Sequence, residues 1–219
     1  RHYDCLLQMD REIGQTLSEL DHLGLRENTY IFLFSDHGMN LPRHKEWLYE
    51  GAIHMPLIVC GPGIAGGQVR DDLVSGIDIT AASLGVAGLP IPDAMEGRDF
   101  LAEGYEPRDH VISARDRVVY ALDRVRAVVT PRFKYLRNYH PDRPYTQPGY
   151  NHKVPLYKEL MALNAHSPFE GDAGLFFTES RPQEEFYDLE NDPHELVNLA
   201  SDSAFQSDLE HHRQLLDRW

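Results

Sequence analysis

The sequence predicts an α/β protein: a layer of core strands flanked by helices, followed by a small antiparallel sheet. Three observations carry that prediction. The first ninety or so residues run helix, strand, loop, strand, helix, the order of an α/β layer with parallel strands. The second half turns to short β-rich segments broken by Pro131 and charged turns, the pattern of a small antiparallel sheet. With 219 residues and 42% hydrophobic composition, the chain has material for one large domain or one and a half small ones.

The elements follow in order. Met9, Ile13, Leu17 and Leu20 share one face of a helix that Gly24 terminates. "TYIFLFS" is a continuous run rich in aromatic and β-branched residues, expected as a strand buried on both faces, and "MPLIVCGPG" reads as another. "SGIDITAASLGVAG" is expected as a capped helix closed by glycine. "HVISA", "RVRAVVT" and "FKYLRN" read as strands, "YHPDRPYTQPGY" as a proline-stiffened loop, and "VPLYKELMALNA" and "FQSDLEHHRQLLDRW" as outer helices. The change of character around "LAEGYEPRD" divides the chain into residues 1–105, part of an α/β domain, and 106–219, a small α+β subdomain.

Charge narrows the function classes. Thirty-five acidic against 21 basic residues leave a net charge of -14, the opposite of a nucleic-acid binder. An anionic substrate remains compatible, because a bound cation reverses the local field. No apolar run is long enough for a membrane span. Cys5 and Cys60 have no metal-type spacing and are expected as two buried thiols, which leaves the redox compartment open. Helical patterns already run at Arg1 and still run at Trp219, as expected of a fragment lacking an N-terminal portion.

The chemistry-bearing residues gather on the connection between the first two strands, "SDHGMNLPRHKEWLYEGAIHM". Asp36 and His37 follow a strand end, where both can reach one divalent cation and Gly38 lets the backbone turn. From spacing alone a turn-capping Asp36 and a packed His37 are equally open. Lys45 can return to the same strand edge and hold an anion as a point charge, the alternative being a solvated surface lysine. His44 and His54 are further candidates, while Tyr49 and Glu50 are expected to support the loop.

The order of strand, "SDHG", Lys45, "YEGAIHMPLIVCGPG" and "SGIDITAASLGVAGLPIPDAMEGRDF" resembles the sulfatases of the alkaline phosphatase superfamily. So do the opening helix "MDREIGQTLSELDHLGLRENT", the strand "RFKYLRNY" and the late "EEFYDLENDPHELVNLASD", and the branch nearest the later half is that of the heparan N-sulfatases. The resemblance implies an alkaline-phosphatase-like fold with an incomplete parallel sheet, a small antiparallel-sheet subdomain and a terminal helix. It implies Asp36 and His37 as ligands of a divalent cation, usually Ca2+ with Mg2+ or Mn2+ as alternatives, and Lys45 as the contact to the sulfate group. Arg137, His140 and Arg143, with Tyr139 and Tyr145 for stacking, are the expected grip on a sulfated small molecule or carbohydrate.

Two departures stand out. The family nucleophile is a formylglycine made in C-x-P-S-R or its serine variant, and neither Cys5 nor Cys60 lies in such a motif. His54 stands where many relatives have arginine. The formylglycine and the other metal carboxylates are therefore expected in the N-terminal portion of the same protein, and this chain alone should not turn over. An extracytoplasmic location is the one the resemblance favours. Two alternatives accompany the sulfatase reading: a phosphodiesterase or phosphonate hydrolase of the same superfamily, and a non-catalytic module binding anionic glycans or a partner chain.

Overall fold

An uninterrupted 21-residue stretch without proline forms helix α1, His2–His22, and Gly24 ends it in the left-handed conformation (φ 65°) that glycine adopts without a steric penalty. The computed structural model describes residues 2–219, apart from the side chains of residues 150 and 151, so Arg1, where the helical pattern begins, lies outside the described residues. By its contacts the chain forms two compact units, Arg1–Phe34 with Pro56–Arg70, and Ser35–Met55 with Asp71–Trp219.

The first unit contains α1 and two four-residue strands, β1 (Ile31–Phe34) and β2 (Leu57–Cys60). They pair antiparallel, Ile31 opposite Cys60 and Phe34 opposite Leu57, which corrects the expected parallel arrangement. A parallel return needs a crossover that carries the chain back along the strand, usually a helix. The only helix between β1 and β2 is one turn, α2 (Glu50–Ile53), too short for that task. Burial on both faces is also corrected: Phe34 is 50% and Ile58 60% exposed, as befits a ribbon with two strands among the described residues. No described residue of α1 is buried, the expected Met9, Ile13, Leu17 and Leu20 face included. Cys5 is exposed and Cys60 half-buried, both as free thiols rather than core residues.

The second unit holds the packed core. Helix α3 (Asp78–Val86) forms where expected, and Gly88 (φ 67°) follows its last turn. Its N-terminus is tied by the fully buried Asp78 carboxylate, which accepts from the Ser75 and Arg98 amides and from the Arg108 guanidinium. The expected antiparallel sheet comprises β3 (Val111–Val118), β4 (Ala121–Val129) and β5 (Phe133–Asn138), plus β6 (Glu184–Asp188) from the late signature, in the order β3-β4-β5-β6. Between β5 and β6 lie α4 (Pro155–His166) and the short α5 (Gly171–Gly174), and α6 (Gln206–Arg218) closes the described chain.

Alternation along the strands gives this sheet two unlike faces. Val128, Phe133, Tyr135 and Phe186 pack under Leu209, Leu215 and Leu216 of α6. Val125, Ala127, Leu136 and Tyr187 point the other way, into a cluster with Trp47, Tyr49 and Tyr145. The segment bearing the candidate site is therefore seated on the face opposite α6.

Candidate metal and anion site

Strand β1 stops at Phe34 and the chain turns at once. Ser35 Oγ donates to the His37 carbonyl at 2.8 Å, and the Gly38 amide donates to the Ala52 carbonyl at 3.0 Å. A Cβ at position 38 would collide with the Gly51 carbonyl oxygen, so only glycine allows this approach. Within the turn His37 Nε2 lies 3.4 Å from Asp36 Oδ2. His37 Nδ1 is 2.9 Å from the Gly38 carbonyl, which can only accept, so Nδ1 carries the proton. In the neutral ring Nε2 is then the lone-pair nitrogen, on the same side as the Asp36 carboxylate, the tautomer a metal-ligating histidine requires. Both side chains reach solvent, Asp36 with 80% of its surface.

Lys45 returns to the same turn through its amide, which donates to the Met39 carbonyl at 3.0 Å, and its side chain is half-buried. Arg43 and Glu46 flank it with positive φ (60° and 81°), a conformation that costs non-glycine residues about 1 kcal/mol or more. Partners hold the strained backbone. The Arg43 guanidinium lies 4.0 Å over the Tyr49 ring and donates to the Glu195 carbonyl. Trp47 receives the Arg115 guanidinium on its face at 3.9 Å and Tyr145 edge-on at 5.2 Å. The His44 ring packs directly on Gly51, where an added Cβ would have to displace it.

Tyr49 and Glu50 support the loop, as expected. Tyr49 donates to Glu185 at 2.6 Å, and that buried carboxylate also accepts from Tyr187, Tyr145 and Asn138. Burial and the adjacent Glu185 push the Tyr49 hydroxyl well above its ordinary pKa, keeping it a donor. The Glu50 carboxylate sits 2.6 Å from Lys134 Nζ and 2.7 Å from His54 Nδ1. Burial pushes its pKa up, but the hydrogen bond to His54 and the Lys134 charge outweigh that and hold it at about 2. His54 is thus an ion-pair partner at the end of α2, its own pKa raised by the hydrogen bond to Glu50.

The expected substrate residues separate. Arg137 lies on the α6 side of β5, its guanidinium on Asp217 at 2.6 Å and on the Tyr135 hydroxyl at 2.8 Å. Strand alternation is the reason: Asn138, its neighbour, points to the loop-bearing face, so Arg137 must point away. Tyr145 is buried in the core rather than offered for stacking, and Tyr139 is stacked with Arg124 at 4.2 Å. His140 and Arg143 stay on the loop that ends in Tyr145; Arg143 donates to the Leu122 carbonyl, and both carbonyls accept from Arg181.

Sequence reasoning passed over the charged groups beneath the loop: Lys134, Glu185, Glu195, and Asp123 with Arg181 at 2.8 Å. One signal was available. In "FKYLRN" Lys134 has the inward phase of Leu136 and Asn138, so a buried lysine needing carboxylate partners was implied.

The Sulfatase family model matches residues 1–89. An ulvan-active sulfatase from Formosa agariphila is 35% identical across 99% of this chain. The chain belongs to the sulfatases. It spans 37% of the length of that relative. A protein solved in complex with its substrate D-glucosamine-2-N,6-O-disulfate superposes with a TM-score of 0.66 at 20% identity, over 97% of this chain and 38% of that one. The phosphonate monoester hydrolase of Agrobacterium radiobacter gives 0.64 at 22% identity, over 95% and 38%. At these identities the two structures show a shared fold, the alkaline-phosphatase-like one that sulfatases use. Among the described residues no three His, Cys, Asp or Glu side chains form a metal-holding group, and no helix is long and apolar enough to cross a membrane.

Proposed function

We propose that the protein is a metal-dependent sulfatase hydrolysing sulfate esters or sulfamates of a sulfated carbohydrate. The reading rests on one observation above all: a chain 35% identical to an ulvan-active sulfatase presents Asp36 and His37 side by side in a glycine-dependent turn to which Lys45 returns. The donors suit a divalent cation, a carboxylate oxygen and an imidazole nitrogen whose tautomer is fixed from behind. Asp36 and His37 would hold it, with Ca2+ as the proposed ion. When bound, the cation supplies Lewis-acid polarisation of the sulfate oxygens.

Lys45 neutralises charge on those oxygens and stabilises the charge that develops in the transition state. His140 and Arg143, on the loop that ends in Tyr145, face the carbohydrate; Arg137 leaves this assignment because it lies on the opposite face. The remaining metal carboxylates and the formylglycine nucleophile that sulfatases use come, in this reading, from an N-terminal portion of the protein. Residues 1–105 then complete its α/β catalytic domain and 106–219 form a C-terminal subdomain. An extracytoplasmic location fits a substrate of this kind.

The test uses the full-length protein with an aryl sulfate, a sulfated oligosaccharide and a phosphonate monoester. Sulfate-ester turnover should dominate and should vanish in Asp36→Ala. Unchanged turnover in that variant overturns the site assignment, and dominant phosphonate turnover overturns the sulfatase reading.

A further inference from the structure

The buried charges on the loop-bearing face of the sheet meet at one place, the start of α2. Lys134 projects from β5 with no exposed side-chain surface, and its Nζ lies 2.6 Å from Glu50 Oε1 and 2.9 Å from Glu195 Oε1. The second oxygen of Glu195 accepts the Glu50 amide at 2.7 Å, and its carbonyl accepts the Arg43 guanidinium. One residue, 145 positions downstream of Glu50, thereby holds both the entry to α2 and the middle of the Lys45 loop.

Two features mark Glu195 as more than filler. It is 1% exposed, and its backbone sits at φ 57°, a left-handed conformation that glycine would adopt at lower cost. A glutamate there carries backbone strain and a buried charge together, which its fixed contacts to Glu50, Lys134 and Arg43 offset. What those contacts fix is visible one step on. α2 ends beside the Ala52 carbonyl that accepts the Gly38 amide, and Gly38 follows His37 directly. The path from Glu195 to the Asp36–His37 turn is thus one amide hydrogen bond, a single helical turn and a second amide hydrogen bond.

We propose that Glu195 and Lys134 form a positioning clamp that sets the Asp36–His37 turn and the Lys45 loop through α2, without touching substrate or cation. The proposal rests on the functional reading for what the turn does, but not for the clamp itself. A single-turn helix has too few internal hydrogen bonds to hold its own place. Its orientation therefore comes from its end contacts, and the first of those is the Glu195 carboxylate.

The test is amide hydrogen exchange on the full-length protein. In Glu195→Ala the segment 36–45 should exchange at least about 10-fold faster, while the β4 and β5 segments keep their protection. Glu195→Gln retains an acceptor for the Glu50 amide and should recover most of that protection, a rescue that general destabilisation would not produce. Calcium titration of the metal-stripped protein supplies a second readout. Affinity should fall about 10-fold in Glu195→Ala, the lower end for loss of a supporting contact behind a ligand.

Equal acceleration in all segments, or none in 36–45, overturns the clamp. Should Glu195→Ala alone not fold, Glu195→Ala combined with Lys134→Met removes the acceptor of the Glu50 amide without leaving Lys134 facing the gap, and carries the same expectation for 36–45. Asp36→Ala separates the two levels. If it leaves calcium binding intact while Glu195→Ala loosens 36–45, the metal reading fails and the clamp stands; the reverse pattern leaves the metal site and removes the clamp.

Discussion

On one face of the β3–β6 sheet, Val128, Phe133, Phe186, Leu209, Leu215 and Leu216 close an apolar cluster under α6; on the other, Lys134, Glu185, Asp123 and Arg181 lie buried among Trp47, Tyr49 and Tyr145. Strands β4, β5 and β6 contribute side chains to both, as Phe133 beside Lys134 and Glu185 beside Phe186 show. The apolar face needs volume and shape, and its contacts have little direction. The polar face binds by hydrogen bonds and ion pairs, each with a preferred distance and angle, and a group left unpaired there is costly. A helix that only has to cover the sheet sits on the first face. The loop that carries Asp36, His37 and Lys45 sits on the second.

The comparison breaks most sharply at Lys45. If the polar face exists to hold a reacting surface, Lys45→Ala should lower sulfate-ester turnover by about two to three orders of magnitude, the usual worth of one transition-state donor. The folding transition should stay near that of the parent, because no core cluster includes Lys45. Steady-state kinetics on an aryl sulfate beside a thermal melt measures both. A normal rate would make Lys45 a surface lysine and leave the polar layer without a catalytic purpose.

Leu209→Ala probes the other face. Leu209 is fully buried on the sheet-facing side of α6, and its truncation should cost about 2–3 kcal/mol of stability by denaturant unfolding. The folded fraction should keep kcat and KM within about twofold, since the apolar cluster does not touch the loop. A large change in KM would show that the two faces are coupled and that the division drawn between them is wrong.

Much of this was legible in the sequence, for reasons that also explain the failures. The strands from "HVISA" to "FKYLRN" and the helix from Gln206 followed from periodicity, because their packing partners lie within the chain. The turn that carries Asp36 and His37 could be picked out because a strand end followed by glycine favours one. The parallel pairing of β1 and β2 misled, since the apolar pattern of a strand records burial and not direction. Arg137 misled for a simpler reason: beside His140 and Arg143 in the sequence, it still belongs to a strand, and alternation turned it away. The Glu195–Lys134 pair was out of reach as a pair, because a separation of 61 residues carries no periodic signal.

The smallest expected effect gives the finest test of the two faces. Arg137→Ala removes an ion pair to Asp217 whose arginine is 22% and whose aspartate is 61% exposed, so solvent screens it and the loss of stability should stay below about 1 kcal/mol. Turnover of a sulfated oligosaccharide should not change at all. Arg143→Ala, by contrast, should raise KM for the oligosaccharide while leaving a small aryl sulfate unaffected, because in the proposed site only the larger substrate extends to that loop. If both substitutions weaken the oligosaccharide alike, strand alternation does not separate the substrate side from the helix side, and the outer row of β5 has to be counted as part of the binding surface.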